Sequence, residues 1–253
     1  MKSCIVITGA SSGIGEEFVK QLKDENKHFV LVARREERLQ KLAKDLHIDC
    51  TIIKADLSKE SECYRLIDSL KDHHIDLFVN NAGFGDCQYF LDGNLDKEIN
   101  MIDLNIKALH ILTKLVLKKM DKQKSGSLLN VASSAGLLAG GPYMATYYAT
   151  KSYVTSLTRA IAKELKDHHS PVYIGCLCPG PVNTEFNQVA DVKFALKGIP
   201  VQKCVSYTLK KMKQKKIIII PTIKMKLAII MGRFIPTSLL IHITSLQQKR
   251  KIS

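Results

Sequence analysis

Short apolar runs alternate with segments of helical period along most of the chain. Residues 4–7, Cys-Ile-Val-Ile, have the β-branched character of a buried strand, and Phe18, Val19 and Leu22 follow at helical spacing. The same alternation predicts strands over His28–Ala33, 50–55, 76–79, 127–132, 172–178 and 216–220. Helices are predicted over Glu36–Leu46, 59–72, 96–120 and 143–166. In Glu36–Leu46 the apolar positions Leu39, Leu42, Ala43 and Leu46 share one face. Strands that alternate with helices are joined by right-handed crossovers, which places them parallel in one sheet covered on both faces. The expected fold is α/β, a doubly wound seven-stranded parallel sheet, and residues 1–253 read as one domain.

The turn after the first strand reads Thr8-Gly9-Ala10-Ser11-Ser12-Gly13-Ile14-Gly15. Glycines let backbone amides come close to an anion, and the helix that follows aims its N-terminus at the turn. The spacing is T-G-x-x-x-G-x-G rather than the general dinucleotide fingerprint. Taken alone it is either a phosphate cradle or a structural turn.

Tyr147 and Lys151 stand four apart on a predicted helix and so share one face. A nearby ammonium favours a phenolate, so the pair suits proton transfer to and from a carbonyl oxygen. Asn81-Ala82-Gly83 follows the fourth strand, Ser133-Ser134 the fifth and Pro179-Gly180 the sixth. All fall at the carboxyl ends of strands, the edge at which open α/β sheets bind ligands.

Together with Asp56, Asn105 and Pro179-Gly180-Pro181-Val182-Asn183-Thr184, this set resembles the short-chain dehydrogenase/reductase family in its short single-domain, Rossmann-type branch, over residues 4–186. The resemblance implies an oxidoreductase that moves a hydride between a nicotinamide cofactor and a carbonyl/alcohol pair. It implies Tyr147 as proton donor, Lys151 on the nicotinamide ribose and lowering the tyrosine pKa, Ser133 on the substrate oxygen, and Asn105 holding a water behind Lys151. It also implies a cofactor bed of Gly9, Ser11, Ser12, Gly13, Ile14 and Gly15, with Asp56 and Leu57 beside the adenine. Asn81, Ala82 and Gly83 would line the adenosine side, and Pro179, Gly180, Val182 and Thr184 the nicotinamide side. Ser134 has the family's usual distance from Tyr147, but the S-x-A-G pattern places Ser133 in the catalytic position. Tyr148 has no lysine four residues on, and packs or lines the pocket.

Where an acid at the end of the second strand would bind the ribose of NAD, this chain has Arg34-Arg35. Guanidinium groups match phosphate geometry, so NADP(H) is expected in preference to NAD(H).

Charge then changes the picture of the C-terminal quarter. Of 38 Lys and Arg, 14 lie beyond residue 192, where there is no Asp or Glu, so the net charge of +14 belongs to that segment. The resemblance implies that residues 183–200 form a flap over the substrate, and the segment carries Phe186, Val189, Phe194, Ala195 and Leu196, which implies an apolar pocket. Residues 222–253 form a basic, apolar extension, read as a lid, a subunit contact in a homodimer or homotetramer, or a peripheral contact with an anionic membrane. Its apolar runs fall short of the ~18 residues that cross a bilayer, and its scarcity of aromatics argues against nucleic acid.

Seven scattered cysteines without C-x-x-C suit a reducing cytoplasm, and Met1-Lys2-Ser3 enters the first strand with no leader. Leu-Lys-Asp-His-His occurs at 70–74 and 165–169, read as basic caps at helix C-termini and not as metal ligands. A small-molecule carbonyl or alcohol substrate is expected. A cofactor-binding regulator without turnover is the competing reading, set against the presence of Asn105, Ser133, Tyr147 and Lys151.

Overall fold

The computed structural model describes residues 2–23, 27–185 and 198–252. The elements in order are β1 (Lys2–Thr8), α1 (Gly13–Leu22), β2 (His28–Ala33), α2 (Glu36–Leu46), β3 (Cys50–Lys54), α3 (Glu60–Ser69) and β4 (His73–Asn80). Then come α4 (Leu95–Ile102), a π-helical turn (Asp103–Ala108), α5 (Leu109–Gln123), β5 (Ser127–Val131), α6 (Ala145–Asp167) and β6 (Tyr173–Leu177). The chain continues through β7 (Val182–Asn183), β8 (Ile199–Pro200), α7 (Val201–Lys213), β9 (Ile218–Ile219), α8 (Ile223–Gly232) and α9 (Thr237–Ile252).

Seven strands form one parallel sheet in the order β3-β2-β1-β4-β5-β6-β9, as the alternation required. Successive residues of β1 feed opposite faces. Cys4 and Val6 pack with Phe78, Leu66, Leu112 and Val116, while Ile5 and Ile7 pack with Phe18, Phe29, Leu31 and Leu39. Both faces are covered, so β2 is buried at every position and shows no polar alternation. The sheet's crossovers reverse between β1 and β4, which opens a crevice above their carboxyl ends.

Four predicted features differ. The helix expected over 96–120 is broken by the π turn at Asp103–Ala108, because the inward side chain of Asn105 is tied to Phe84 and Thr150. A one-residue slip of this kind leaves the apolar period almost unchanged. The helix expected from 143 starts at Ala145, since Tyr143 sits at φ 66, outside the helical region. The first Leu-Lys-Asp-His-His copy does not cap a helix at its histidines. His73 and His74 open β4, pair with Lys2 and Ser3, and His73 stacks on His28 at 5.8 Å. In the second copy His168 is the C-cap of α6, as expected. The strand expected over 216–220 shortens to Ile218–Ile219.

The segment expected as a flap begins and ends in a small parallel pair, β7 with β8. Its named apolar residues, Phe186, Val189, Phe194, Ala195 and Leu196, lie outside the described residues. The tail folds as α8 and α9, and neither is long and apolar enough to cross a membrane.

Candidate active site

The turn after β1 is shaped by its glycines. Gly9 and Gly13 take φ +65 and +58, and a Cβ on Gly15 would lie 2.3 Å from the Gly9 carbonyl oxygen. Asn81 clamps this turn: its Nδ2 donates to the carbonyls of Thr8 at 3.0 Å and Gly9 at 3.2 Å. The amides of Asn81 and Ala82 in turn donate to Thr8 Oγ1 at 2.9 and 3.0 Å. The loops after β1 and β4 are thus one rigid unit, with Ser12 at the N-cap of α1 and the helix N-terminus facing the crevice.

That crevice is a cleft of about 410 Å³. Its walls hold every residue expected from the resemblance except Gly15 and Asn105, which sit behind them. Asp56 and Leu57 close one end, where Asp56 Oδ1 accepts from Ser58 Oγ at 2.8 Å. Tyr147, Lys151, Ser133 and Ser134 line the other, with Pro179, Gly180, Val182 and Thr184. The left-handed turn and the helix N-terminus, with open room above them, fit the phosphates of a dinucleotide.

The polar centre is buried. Tyr147 is buried and its side chain hydrogen bonds that of Ser133. Burial pushes its phenol up to about 12, and the Ser133 hydrogen bond opposes this only in part. Burial therefore works against the lowered tyrosine pKa that the resemblance implies. Lys151 is driven the other way: burial lowers its ammonium to about 8, opposed by Cys176 and Cys178. Its Nζ donates to the Val131 carbonyl at 3.1 Å and stands 5.8 Å from the centre of the Tyr147 ring.

Ser133 is the extended residue that caps a short 3₁₀ turn (Ser134–Leu137), accepting from the Ala135 amide at 3.1 Å. Ser134 is held by its backbone, its amide donating to the Pro179 carbonyl at 2.7 Å. Asn105 is fully buried. Its Oδ1 accepts from the Phe84 amide at 3.1 Å and its Nδ2 donates to the Phe84 carbonyl at 2.8 Å. A Cβ on Gly83 would fall 2.8 Å from Asn105 Oδ1 and 3.3 Å from Lys151 Nζ, so that glycine keeps open the space between the two side chains.

Beside the glycine turn Arg35 donates to Ser12 Oγ at 2.8 Å and to Glu185 at 3.1 Å, and Arg38 donates to both oxygens of Glu185 at 2.7 and 2.9 Å. These bonds hold the Glu185 carboxyl below the usual carboxylate range. Nothing in the sequence pointed to Glu185, because its partners lie about 150 residues away along the chain. Two further wall residues were also missed: Met225 of α8, whose Cε lies 2.8 Å from where a Cβ on Gly180 would be, and Gln248 of α9. Gln248 Nε2 donates to Tyr148 Oη at 2.7 Å. Both tail helices therefore wall the cleft. No cluster of His, Cys, Asp or Glu able to hold a metal occurs among the described residues.

Comparison with known proteins agrees with this geometry. Residues 3–193 match the family described as short chain dehydrogenase. An uncharacterised oxidoreductase of Staphylococcus epidermidis is 36% identical over 189 residues, covering 74% of this chain and 80% of that one. A very-long-chain 3-oxoacyl-CoA reductase of Anas platyrhynchos is 30% identical over 198 residues, 75% of this chain and 62% of that one. Among solved structures, a short-chain dehydrogenase from Sphingobium yanoikuyae in complex with NADPH superposes with a TM-score of 0.81 at 27% identity, covering 88% and 89% of the two chains. A glycine cradle, a buried Tyr147–Ser133–Lys151 centre and the family match lead to one conclusion: the chain belongs to the short-chain dehydrogenase/reductase family of NAD(P)-dependent oxidoreductases.

Proposed function

We propose that this protein is an NADP-dependent carbonyl reductase, or the alcohol dehydrogenase of the reverse reaction, for a lipophilic substrate. The observation that carries the reading is the hydrogen bond between Tyr147 and Ser133 beside the Lys151 ammonium, inside the cleft that begins at the glycine turn. NADPH, when bound, supplies the hydride. Ser12 and Gly13 at the α1 N-terminus would hold its phosphates, Asp56 and Leu57 its adenine, and Arg34 and Arg35 its 2′-phosphate.

Ser133 orients the substrate oxygen towards Tyr147, and the phenol gives it a proton as negative charge develops there. The phenolate left behind is costly in a buried site, and the positive charge of Lys151 offsets that cost. Asn105 would hold the water that carries the replacement proton. Water is kept from the reacting atoms by Leu138, Met144, Tyr148 and Met225, which give that end of the cleft an apolar wall. That wall supports a lipophilic substrate, as does the similarity to a protein named for very long acyl chains.

The tail supports a second element of the reading, a peripheral contact with anionic lipid. Ile223, Leu227, Met231 and Phe234 are exposed beside Lys224, Lys226 and Arg233, and Phe234 is 81% exposed. A homodimer or homotetramer that uses the same apolar face is the competing arrangement.

A panel of ketones and aldehydes tests the main reading. NADPH oxidation is expected with apolar carbonyl compounds, and Tyr147→Phe is expected to lower turnover by ~10²–10⁴ while NADPH still binds. Near-normal turnover in Tyr147→Phe would refute the assignment.

A further inference from the structure

Gln248 is a glutamine that a basic, polar C-terminal stretch would normally leave in water, yet it is only 3% exposed. Three contacts seat the helix that carries it. Nε2 donates to Tyr148 Oη at 2.7 Å, Lys249 Nζ lies 5.8 Å from the centre of the Tyr143 ring, and Ile241 packs at 3.7 Å from where a Cβ on Gly140 would be. Gly141 makes room for Tyr148, since a Cβ there would lie 2.3 Å from its ring. The amide is thus held by a ring that also walls the cleft, and Gln248 is itself part of the wall.

Its other end has nothing. Oε1 of Gln248 is buried and accepts no hydrogen bond, one of only a few such side-chain atoms among the described residues. An unmade bond at a buried acceptor is unfavourable, and native structures keep few of them without a reason. The same cleft is lined by the apolar or ring side chains of Leu138, Met144, Tyr148 and Met225. The Tyr147 and Tyr148 ring centres are 6.4 Å apart, so this acceptor belongs to the substrate end of the cleft and not to the adenosine end.

We propose that Gln248 Oε1 is a substrate-recognition acceptor, and that the substrates are ketones carrying a hydroxyl or amide N–H group at a distance from the reacting carbonyl. This rests on the carbonyl-reductase reading for the chemistry, but the recognition is a separate matter of binding. A plain hydrocarbon tail leaves the buried acceptor unpaired. A tail with a donor completes it.

The test uses the full-length enzyme with NADPH and a homologous series of straight-chain methyl ketones, each paired with its terminal-hydroxyl and terminal-methoxy counterparts. In the wild type one chain length is expected to show kcat/KM about tenfold higher for the hydroxyl compound than for the methyl or methoxy compound. In Gln248→Met the ratio is expected to fall to near one. Tyr148→Phe keeps Gln248 but frees its anchored end, and is expected to reduce the ratio without abolishing it. Melting curves and NADPH fluorescence titration show that each variant is folded and binds cofactor.

A ratio near one in the wild type at every chain length, a methoxy preference, or a hydroxyl preference that survives Gln248→Met in folded enzyme would overturn the proposal and leave the redox reading standing. If no ketone is reduced, the corresponding alcohol and diol are titrated calorimetrically against the enzyme with NADP⁺. A Gln248-dependent preference for the diol then sustains the recognition while the redox reading falls, and its absence overturns both.

Discussion

Lys151 holds its ammonium 5.8 Å from the centre of the Tyr147 ring, and burial moves the two groups in opposite senses, the amine down to about 8 and the phenol up to about 12. Each is pushed towards its neutral form by the same burial. Near neutral pH the site therefore holds a protonated phenol beside an ammonium that gives up its proton at only slightly higher pH.

That arrangement sets a pH dependence. The phenol keeps its proton across the working range, so the charge of Lys151 governs the descending limb. Reduction kcat/KM is expected to fall as pH rises through about 8, following loss of the ammonium that stabilises the phenolate. Steady-state rates from pH 6 to 10 check this, and a flat profile to pH 10 would remove Lys151 from the role given to it.

The same lysine costs stability. Its folded pKa of about 8 lies below the unfolded value of 10.5, so between those limits the unfolded chain binds more protons and stability rises with pH. Below pH 8 the penalty is present in full, about 3 kcal/mol by the shift. Lys151→Met is expected to abolish activity and yet raise stability at pH 7 by about 1–3 kcal/mol, the gain shrinking as pH approaches 10.5. Thermal melts at pH 7 and pH 10 decide it. A variant less stable than wild type at pH 7 contradicts the argument.

Ser133 shares a hydrogen bond with Tyr147, whereas Ser134 is fixed by its amide to Pro179. Ser133→Ala is expected to lower kcat by ~10²-fold or more, with Ser134→Ala within a few-fold of wild type. The reverse order of severity would transfer the role to Ser134.

Glu185 occupies Arg35 and Arg38 in the free protein, at the place proposed for a 2′-phosphate. Removing its charge frees the guanidinium groups, so Glu185→Gln is expected to tighten NADPH binding by a few-fold and leave NADH nearly unchanged. Arg34→Ala with Arg35→Ala is expected to weaken NADPH by roughly tenfold or more, with little effect on NADH. Calorimetry with both cofactors reads both effects, and equal changes for NADPH and NADH would rule out the 2′-phosphate assignment.

The exposed apolar residues of the tail predict salt-sensitive sedimentation with anionic vesicles, each nearby basic side chain contributing about 1 kcal/mol. Phe234→Asp with Leu227→Asp is expected to abolish it without changing the melting temperature. Protein that stays in the supernatant with anionic lipid at low salt excludes the membrane contact.

The sheet and most of the site were legible in the sequence because both are local in origin. A buried parallel strand needs a continuous apolar run, a helix over it needs a 3.6-residue period, and the turns at strand ends carry residues chosen for backbone geometry, as Gly9 and Gly13 show at φ +65 and +58. Tyr147 and Lys151 share a face by helix geometry alone. What only the tertiary structure decided depends on contacts between distant segments. Glu185 meets Arg35 and Arg38 across the fold, Asn105 turns inward at a π bulge that the apolar period does not register, and Gln248 of the C-terminal tail is held in the wall of the cleft by Tyr148, 100 residues earlier. The depth of burial around Tyr147 and Lys151 belongs with these, since a pKa follows from what surrounds a group in space and residue identity supplies only its starting value.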